Sequence, residues 1–168
     1  MEPLEIAVKM EIEGKEFYQR ASEKSADVLG KELFARLAEE EDRHAETARR
    51  IYDALRRGQD TSSIDISFDQ GAALKSIFAK ATKEIEQDRQ VGHSELEAIQ
   101  TALDMEEKSR KFYEEHSSKA SDDLEKRFFG ALTAEERGHY IALIDYKEYL
   151  TDPVGYFAKS EHISLDGG

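Results

Sequence analysis

A chain of 168 residues is long enough to bury one sizeable core and is the usual size of a single domain. Its 37 acidic residues against 24 basic ones give a net charge of −13, which repels nucleic acid and anionic membrane surfaces and excludes both as partners. The absence of cysteine removes disulfides, thiolate zinc sites, a cysteine nucleophile and iron–sulfur or rubredoxin-type centres. No apolar run approaches the ~18 residues of a membrane span, and acidic residues stand where a signal peptide carries basic ones, so the chain reads as soluble and cytoplasmic.

Both prolines lie near the ends of the helical region, Pro3 suiting a first helical turn and Pro153 a stop. From Leu4 to about Lys24, the residues Leu4, Ala7, Glu11, Gly14, Tyr18 and Ala21 mark one face of a first helix, with Met10 and Phe17 beside it. A turn around residues 25–27 leads to a second helix from Val28 to Arg57. There Leu33, Leu37, Glu41, His44, Ala48, Ile51 and Leu55 share a face, and Gly58 supplies a left-handed end. So short a link sets these two helices antiparallel. Residues 59–68, polar apart from Ile64, Ile66 and Phe68, show no helical period and read as loop. Ala72 to Gln90 reads as a shorter helix with Leu74, Ile77, Phe78, Ala81 and Ile85 on one side, broken at His93 and Ser94. Ser94 with Glu97 makes a capping-box pattern for a fourth helix to about Ser118, and Asp122 with Glu125 a similar start for a fifth that reaches Leu150. Residues 151–168 form a tail whose large aromatic residues are Tyr156 and Phe157.

An internal repeat organises these elements. An offset of 95 residues aligns Met10-Glu11 with Met105-Glu106, Phe17-Tyr18 with Phe112-Tyr113, Phe34 with Phe129, Glu40-Glu41 with Glu135-Glu136, and His44 with His139, without insertion. The expected fold is all-α: a four-helix bundle of two hairpins, 4–57 and 94–150, joined by a long crossover, 58–93, that carries an extra short helix.

Each hairpin carries charge where a core belongs. Glu11 and Glu106 interrupt the apolar faces of the first and third bundle helices, and Glu41 with His44 and Glu136 with His139 do so on the second and fourth. Glu11 and Glu41 stand about 15 residues on either side of the first turn, so at ~1.5 Å per residue they reach one height, and the second hairpin has the same symmetry. Four carboxylates and two imidazoles then meet at one level. Ionised carboxylates are costly to bury unpaired, and left to themselves some would stay protonated. Two divalent cations neutralise four carboxylates, which is the simplest reason to keep such residues in a core.

A Glu from each of two helices and Glu-x-x-His from the other two is the pattern of ferritin-like di-iron proteins. Through Met10-Glu-Ile-Glu-Gly-Lys-Glu-Phe-Tyr18, Glu39-Glu-Glu-Asp-Arg-His44, Met105-Glu-Glu-Lys-Ser-Arg-Lys-Phe-Tyr113 and Glu135-Glu-Arg-Gly-His139, the chain resembles the rubrerythrin-like branch of that superfamily over residues 4–150. The resemblance implies that Glu11, Glu41, His44, Glu106, Glu136 and His139 ligate two iron ions, with Glu41 and Glu136 bridging. Manganese suits the same oxygen and nitrogen donors, and zinc could occupy them adventitiously. It further implies a homodimer and an oxidoreductase that reduces hydrogen peroxide or dioxygen with electrons from an external donor protein. Ferroxidase chemistry in iron handling and a non-catalytic metal-binding bundle are the alternatives. Two features depart from the resemblance. Many rubrerythrins add a carboxylate one turn after the third-helix ligand, where this chain has Ser109, and many add a four-cysteine rubredoxin-like domain, of which nothing is present here.

Around these ligands the sequence leaves some roles open. Tyr18 and Tyr113 read equally as core aromatics or as hydrogen-bond donors to ligand carboxylates. Gly14 and Ser109, one turn after Glu11 and Glu106, are small enough to leave room for a diatomic oxidant. Glu39, Glu40 and Glu135 lie about 100° or more off the ligand face and read as solvated. His116 reads as a satisfied or surface histidine, His93 and His162 as having no role, and Phe34, Phe128 and Phe129 as core or a subunit contact.

Overall fold

The computed structural model describes residues 1–69, 71–81, 92–156 and 158–159. It contains α1 (Pro3–Lys24), α2 (Val28–Arg57), α3 (Ala72–Ala81), α4 (His93–Lys119) and α5 (Asp123–Thr151), with no strand among the described residues. The continuation of the shorter helix to Gln90, with Ile85, lies outside the described residues, as do Phe157 and His162.

The helix ends follow local chemistry. The Glu2 amide donates to the Glu5 carboxylate at 2.9 Å at the start of α1, and Asp27 accepts from the Leu29 amide at 2.8 Å to open α2. Gly58, at φ 61°, closes α2 in the left-handed conformation that costs glycine least. Asp122 caps α5 through the Glu125 amide at 2.9 Å, as its spacing predicts. The Ser94–Glu97 capping box does not form: α4 starts at His93 after Gly92, and Glu97 lies 3.2 Å from His93 instead. Pro153 follows the end of α5 but also opens one further helical turn, residues 153–156.

α1 packs along α2 and α4 along α5, and the two hairpins meet through α1 against α4 and α2 against α5. This is an all-α, ferritin-like helical bundle, its hairpins joined by the crossover that carries α3. The apolar core divides into two layers. One gathers Tyr18, Leu33, Phe34, Ile99, Leu143 and Tyr146, with Leu74, Ile77 and Phe78 of α3 laid against it. The other gathers Leu4, Ala7, Ile51, Tyr113, Phe128 and Phe129. Full burial of each such large side chain contributes about 1.5–3 kcal/mol. Phe34, Phe128 and Phe129 are wholly buried within the chain, which makes them core and not a subunit contact.

Between these layers lies the polar level, because antiparallel helices bring the middle of each hairpin to one height. The crossover passes beside it on its way along the bundle. Ile64, Ile66 and Phe68 pack on the second layer, and Gly71, at φ 83°, brings the chain close to α5. A Cβ on Gly71 would sit 3.8 Å from the Cα of Gly138, next to His139.

Candidate metal centre

All six predicted ligands are buried, with exposures of 0–3%. Their donor atoms fall into two groups, Glu11, Glu41, His44 and Glu136, and Glu41, Glu106, Glu136 and His139, the atoms of each lying within 4.8 Å of one another. Glu41 and Glu136 belong to both groups and stand between them, each on the long helix of its hairpin.

The two halves mirror each other through the repeat. His44 turns Nδ1 inward, 3.2 Å from Glu11 and 3.8 Å from Glu136, and His139 turns Nδ1 inward, 3.0 Å from Glu41 and 3.4 Å from Glu106. Their outward nitrogens meet the residues just before Glu41 and Glu136. His139 Nε2 lies 2.8 Å from Glu40, and His44 Nε2 lies 3.5 Å from Glu135. The imidazole planes are nearly parallel, 17° apart with centroids at 5.7 Å. A carboxylate on Nε2 holds a proton there, so Nδ1 is the nitrogen that would give up its proton to face the interior with a lone pair, an assignment made from these surroundings.

The tyrosines cross between hairpins. Tyr18 of α1 donates to Glu106 of α4, and Tyr113 of α4 donates to Glu11 of α1. Both rings are fully buried. Of the two readings the sequence left open, hydrogen bonding to the carboxylates is the one observed.

Glu40 and Glu135 overturn their reading as solvated residues, being 0% and 2% exposed, whereas Glu39 is exposed as expected. Arg36 holds Glu40, its Nε 3.2 Å from Oε1, and Arg43 approaches the same oxygen to 3.8 Å. Arg36 also reaches Asp69 of the crossover at 3.5 Å, so the chain Asp69–Arg36–Glu40–His139 ties that loop to the centre. Glu40, Glu135 and His139 form a third close group, but the Arg36 guanidinium already compensates Glu40, which suits an outer carboxylate better than a ligand. Arg36 was the available signal: one helical turn before Glu40, it gives that carboxylate a partner a solvated residue does not need. Phe68, edge-on to His44 with centroids 4.7 Å apart, has no such signal in its loop.

Gly14 corrects another expectation. The room beside it is taken by Glu41, whose Oε2 would lie 3.2 Å from a Cβ placed there, so it is not free for an oxidant. Ser109 is half-buried, and His116 packs on Phe112 with centroids 4.3 Å apart as a satisfied histidine. His93 is exposed.

So many acids in one layer cannot all ionise. Burial and the Glu11 charge push Glu41 well above the usual carboxylate range, and burial with the Glu106 and Glu41 charges does the same to Glu136. Burial opposes ionisation of Glu11 too, but hydrogen bonds from Glu41 and His44 outweigh it and lower its pKa. Glu106 is likewise lowered against its burial by the His139 charge and by Glu136. Burial favours neutral imidazoles, yet the carboxylates around His44 and His139 raise both, His139 strongly. In each hairpin the carboxyl of the second helix, Glu41 or Glu136, therefore favours its neutral form and that of the first, Glu11 or Glu106, its ionised one.

Whether a metal pair fits is decided by what remains unsatisfied. Glu41 Oε1, Glu106 Oε2, Glu136 Oε1 and His139 Nδ1 are buried without a hydrogen bond, the 3.0 Å approach of His139 to Glu41 lacking the direction of one. Orphaned polar atoms of this kind are rare in a core and costly. Here they converge on one space from three helices and carry the charge and donor type of hard or borderline divalent ions, so the residues fit a dinuclear metal.

The rubrerythrin family model matches residues 2–146. The chain belongs to the rubrerythrin family. As a rubrerythrin-family chain it is similar in structure to a hypothetical protein from Pyrococcus furiosus, at 26% identity and a TM-score of 0.65, over 89% of this chain and 88% of that one. No curated protein matches it. The family places the chain among ferritin-like proteins and suggests a di-iron site, and the buried carboxylate–histidine groups could bind metal. No described helix is long and apolar enough to cross a membrane.

Proposed function

We propose that this protein is a di-iron oxidoreductase that reduces hydrogen peroxide, or dioxygen, with electrons from an external donor. The single observation that carries the reading is the pair of buried donor groups sharing Glu41 and Glu136, with four orphaned polar atoms facing one another. Glu11 with His44 and Glu106 with His139 would each hold one metal, and Glu41 and Glu136 would bridge. Such a pair of ferrous ions, when bound, supplies the two electrons that cleave an oxygen–oxygen bond.

The chain's own residues set the conditions for that chemistry. Tyr18 and Tyr113 each hold one oxygen of Glu106 and Glu11 by donating a proton to it, which leaves the second oxygen to point inward. Glu40 and Glu135 orient the imidazoles from Nε2. Leu37, Leu132 and the ring of Phe68 close the layer with apolar surface, which keeps bulk water from the reacting level. Glu41 and Glu136 hold the protons that metal ions displace. These two carboxyls are also the ones with fewest fixed hydrogen-bond partners, which would leave them free to turn toward a bound metal.

Elemental analysis of anaerobically purified protein, followed by stopped-flow absorbance of its reduced form with hydrogen peroxide and with dioxygen, tests the reading. About two irons per chain and faster oxidation by peroxide support it. Turnover of added ferrous ion in excess of the site moves the function to iron handling. Bound zinc with no redox response removes the oxidoreductase.

A further inference from the structure

Aromatic rings lead away from the centre on both sides, but the run that starts at Tyr18 is the one that continues through phenols. Tyr18, whose hydroxyl is bonded to Glu106, stacks on Phe34 with centroids 6.1 Å apart. Phe34 meets Tyr146 edge-on at 6.0 Å, Tyr146 stacks on Tyr149 at 6.4 Å, and Tyr149 meets the half-buried Tyr156 edge-on at 5.9 Å. Four of the five rings are phenols, the side chains that lose one electron most readily once their proton has somewhere to go. Tyr146 has that acceptor: its hydroxyl donates to Glu95 Oε1 at 2.6 Å, and the same oxygen accepts from Ser25 Oγ at 2.8 Å.

The internal repeat separates this run from ordinary core filling. Tyr18 and Phe34 have counterparts in Tyr113 and Phe129, stacked at 5.9 Å on the other half. Beyond them the halves diverge, since Ile51 and Ala54 stand where Tyr146 and Tyr149 stand. Ile51 is itself fully buried, so the position packs well without a phenol.

We infer that Tyr146, paired with Glu95, is a redox-active tyrosine on a path for electrons from the surface at Tyr156 to the metal centre. Resting on the redox reading above, the path answers how a chain without a cysteine-held iron takes up electrons. With hydrogen peroxide as the terminal oxidant at the centre, Tyr146 would give one electron inward through Phe34 and Tyr18, and its phenolic proton would pass to the Glu95 carboxylate. The neutral radical is then reduced by one electron from an external one-electron reductant through Tyr156 and Tyr149, and the proton returns from Glu95. The net transfer is one electron inward, with no net proton and no bond broken besides the O–H. Because tunnelling falls off exponentially with separation, rings in contact carry this transfer and a gap stops it.

The test uses full-length, zinc-loaded protein, so that no peroxide chemistry is involved. Surface oxidation by flash-generated tris(bipyridine)ruthenium(III) is followed by freeze-quenched electron paramagnetic resonance. The expected result is a long-lived tyrosyl signal that is lost in Tyr146→Phe, weakened in Glu95→Gln and slower to appear in Tyr149→Phe, all with unchanged circular dichroism. Tyr146→Phe keeps the ring, and Tyr149→Phe gives an independent reading if Tyr146→Phe fails to fold. A long-lived signal of equal size in Tyr146→Phe, or of equal onset in Tyr149→Phe, overturns the path. Redox-inert zinc makes the result independent of whether the iron-loaded protein reduces peroxide.

Discussion

Tyr18 and Glu106 lie 88 positions apart in sequence, and the hydroxyl of the first donates to the carboxylate of the second across the two hairpins. Tyr113 and Glu11 form the reciprocal bond. Each bond pins a carboxylate of one hairpin from the other, so the centre is complete only when the hairpins are docked. Tyr18→Phe or Tyr113→Phe removes one donor and leaves a buried carboxylate oxygen bare, which costs about 1–3 kcal/mol. Metal affinity should fall by about 10–100-fold, as for the loss of other outer partners of ligands. Anaerobic titration with ferrous or cobaltous ion checks this, and unchanged affinity in both variants would remove the tyrosines from the site.

Glu41 and Glu136 hold protons in the metal-free protein because burial and neighbouring charge disfavour their ionised forms. Glu41→Gln and Glu136→Gln imitate those neutral acids. The metal-free variants should melt at or above the wild-type temperature, while bound metal falls below two per chain. Calorimetry with elemental analysis decides, and a variant that keeps two metals is not missing a ligand.

The same shifts set a pH dependence. Glu41 and Glu136 are raised above their ordinary 4.5, and His44 and His139 above 6.5, so the folded state binds more protons than the unfolded one. Stability from these groups is complete below the unfolded values and lost as pH rises through the folded ones. Glu11, Glu106 and Glu40 are lowered and act oppositely, their contribution disappearing as pH falls below about 4.5. The metal-free protein should therefore be most stable in weak acid and lose melting temperature from about pH 6.5 upward. Metal binding should release protons, seen as a buffer-dependent heat in titration calorimetry. A melting temperature that rises steadily to pH 9 would contradict the raised pKa values of Glu41, Glu136, His44 and His139.

Much of the centre was legible in the sequence because helical period and hairpin symmetry are both sequence properties. Glu11 and Glu41 fall on apolar faces at equal distance from one turn, and that alone brings them to one height. Glu40 and Glu135 were not legible from helical period, and only Arg36, one turn before Glu40, signalled a partner for that carboxylate. A wheel places them off the ligand face, but in a four-helix bundle that direction is not solvent: a neighbouring helix and the crossover cover it. The crossing bonds of the tyrosines depended on hairpin docking, which no periodicity reports. The Ser94–Glu97 box failed because the helix takes Gly92 as its cap, two residues before Ser94, and begins at His93.

Glu40 illustrates what that covered direction does. Its Oε2 accepts from the Nε2–H of His139 while Arg36 holds its Oε1, and Arg36 is itself tied to Asp69. Glu40→Ala frees the imidazole to turn and leaves the guanidinium without its buried partner. Affinity for the metal on the Glu106–His139 side should drop by about 10–100-fold, with the other side affected less. Biphasic metal titration of the variant, where the wild type gives one phase, is the expected outcome.

Gly30 has a steric role that its helical position hides. A Cβ there would lie 2.5 Å from both Glu95 Oε1 and Ser25 Oγ and closer still to the Tyr146 hydroxyl. Three polar groups that bond one another cannot retreat together without breaking their bonds, so helix propensity, which favours alanine by about 1 kcal/mol, loses to the collision. Gly30→Ala should destabilise the fold by about 1–3 kcal/mol in denaturant titration. Because the cluster lies in the first apolar layer and the ligands in the polar level beyond it, metal stoichiometry should stay at the wild-type value. Loss of metal together with stability would mean that the ends of the bundle and its centre are one cooperative unit; loss of stability alone locates the damage at the Ser25–Glu95–Tyr146 cluster.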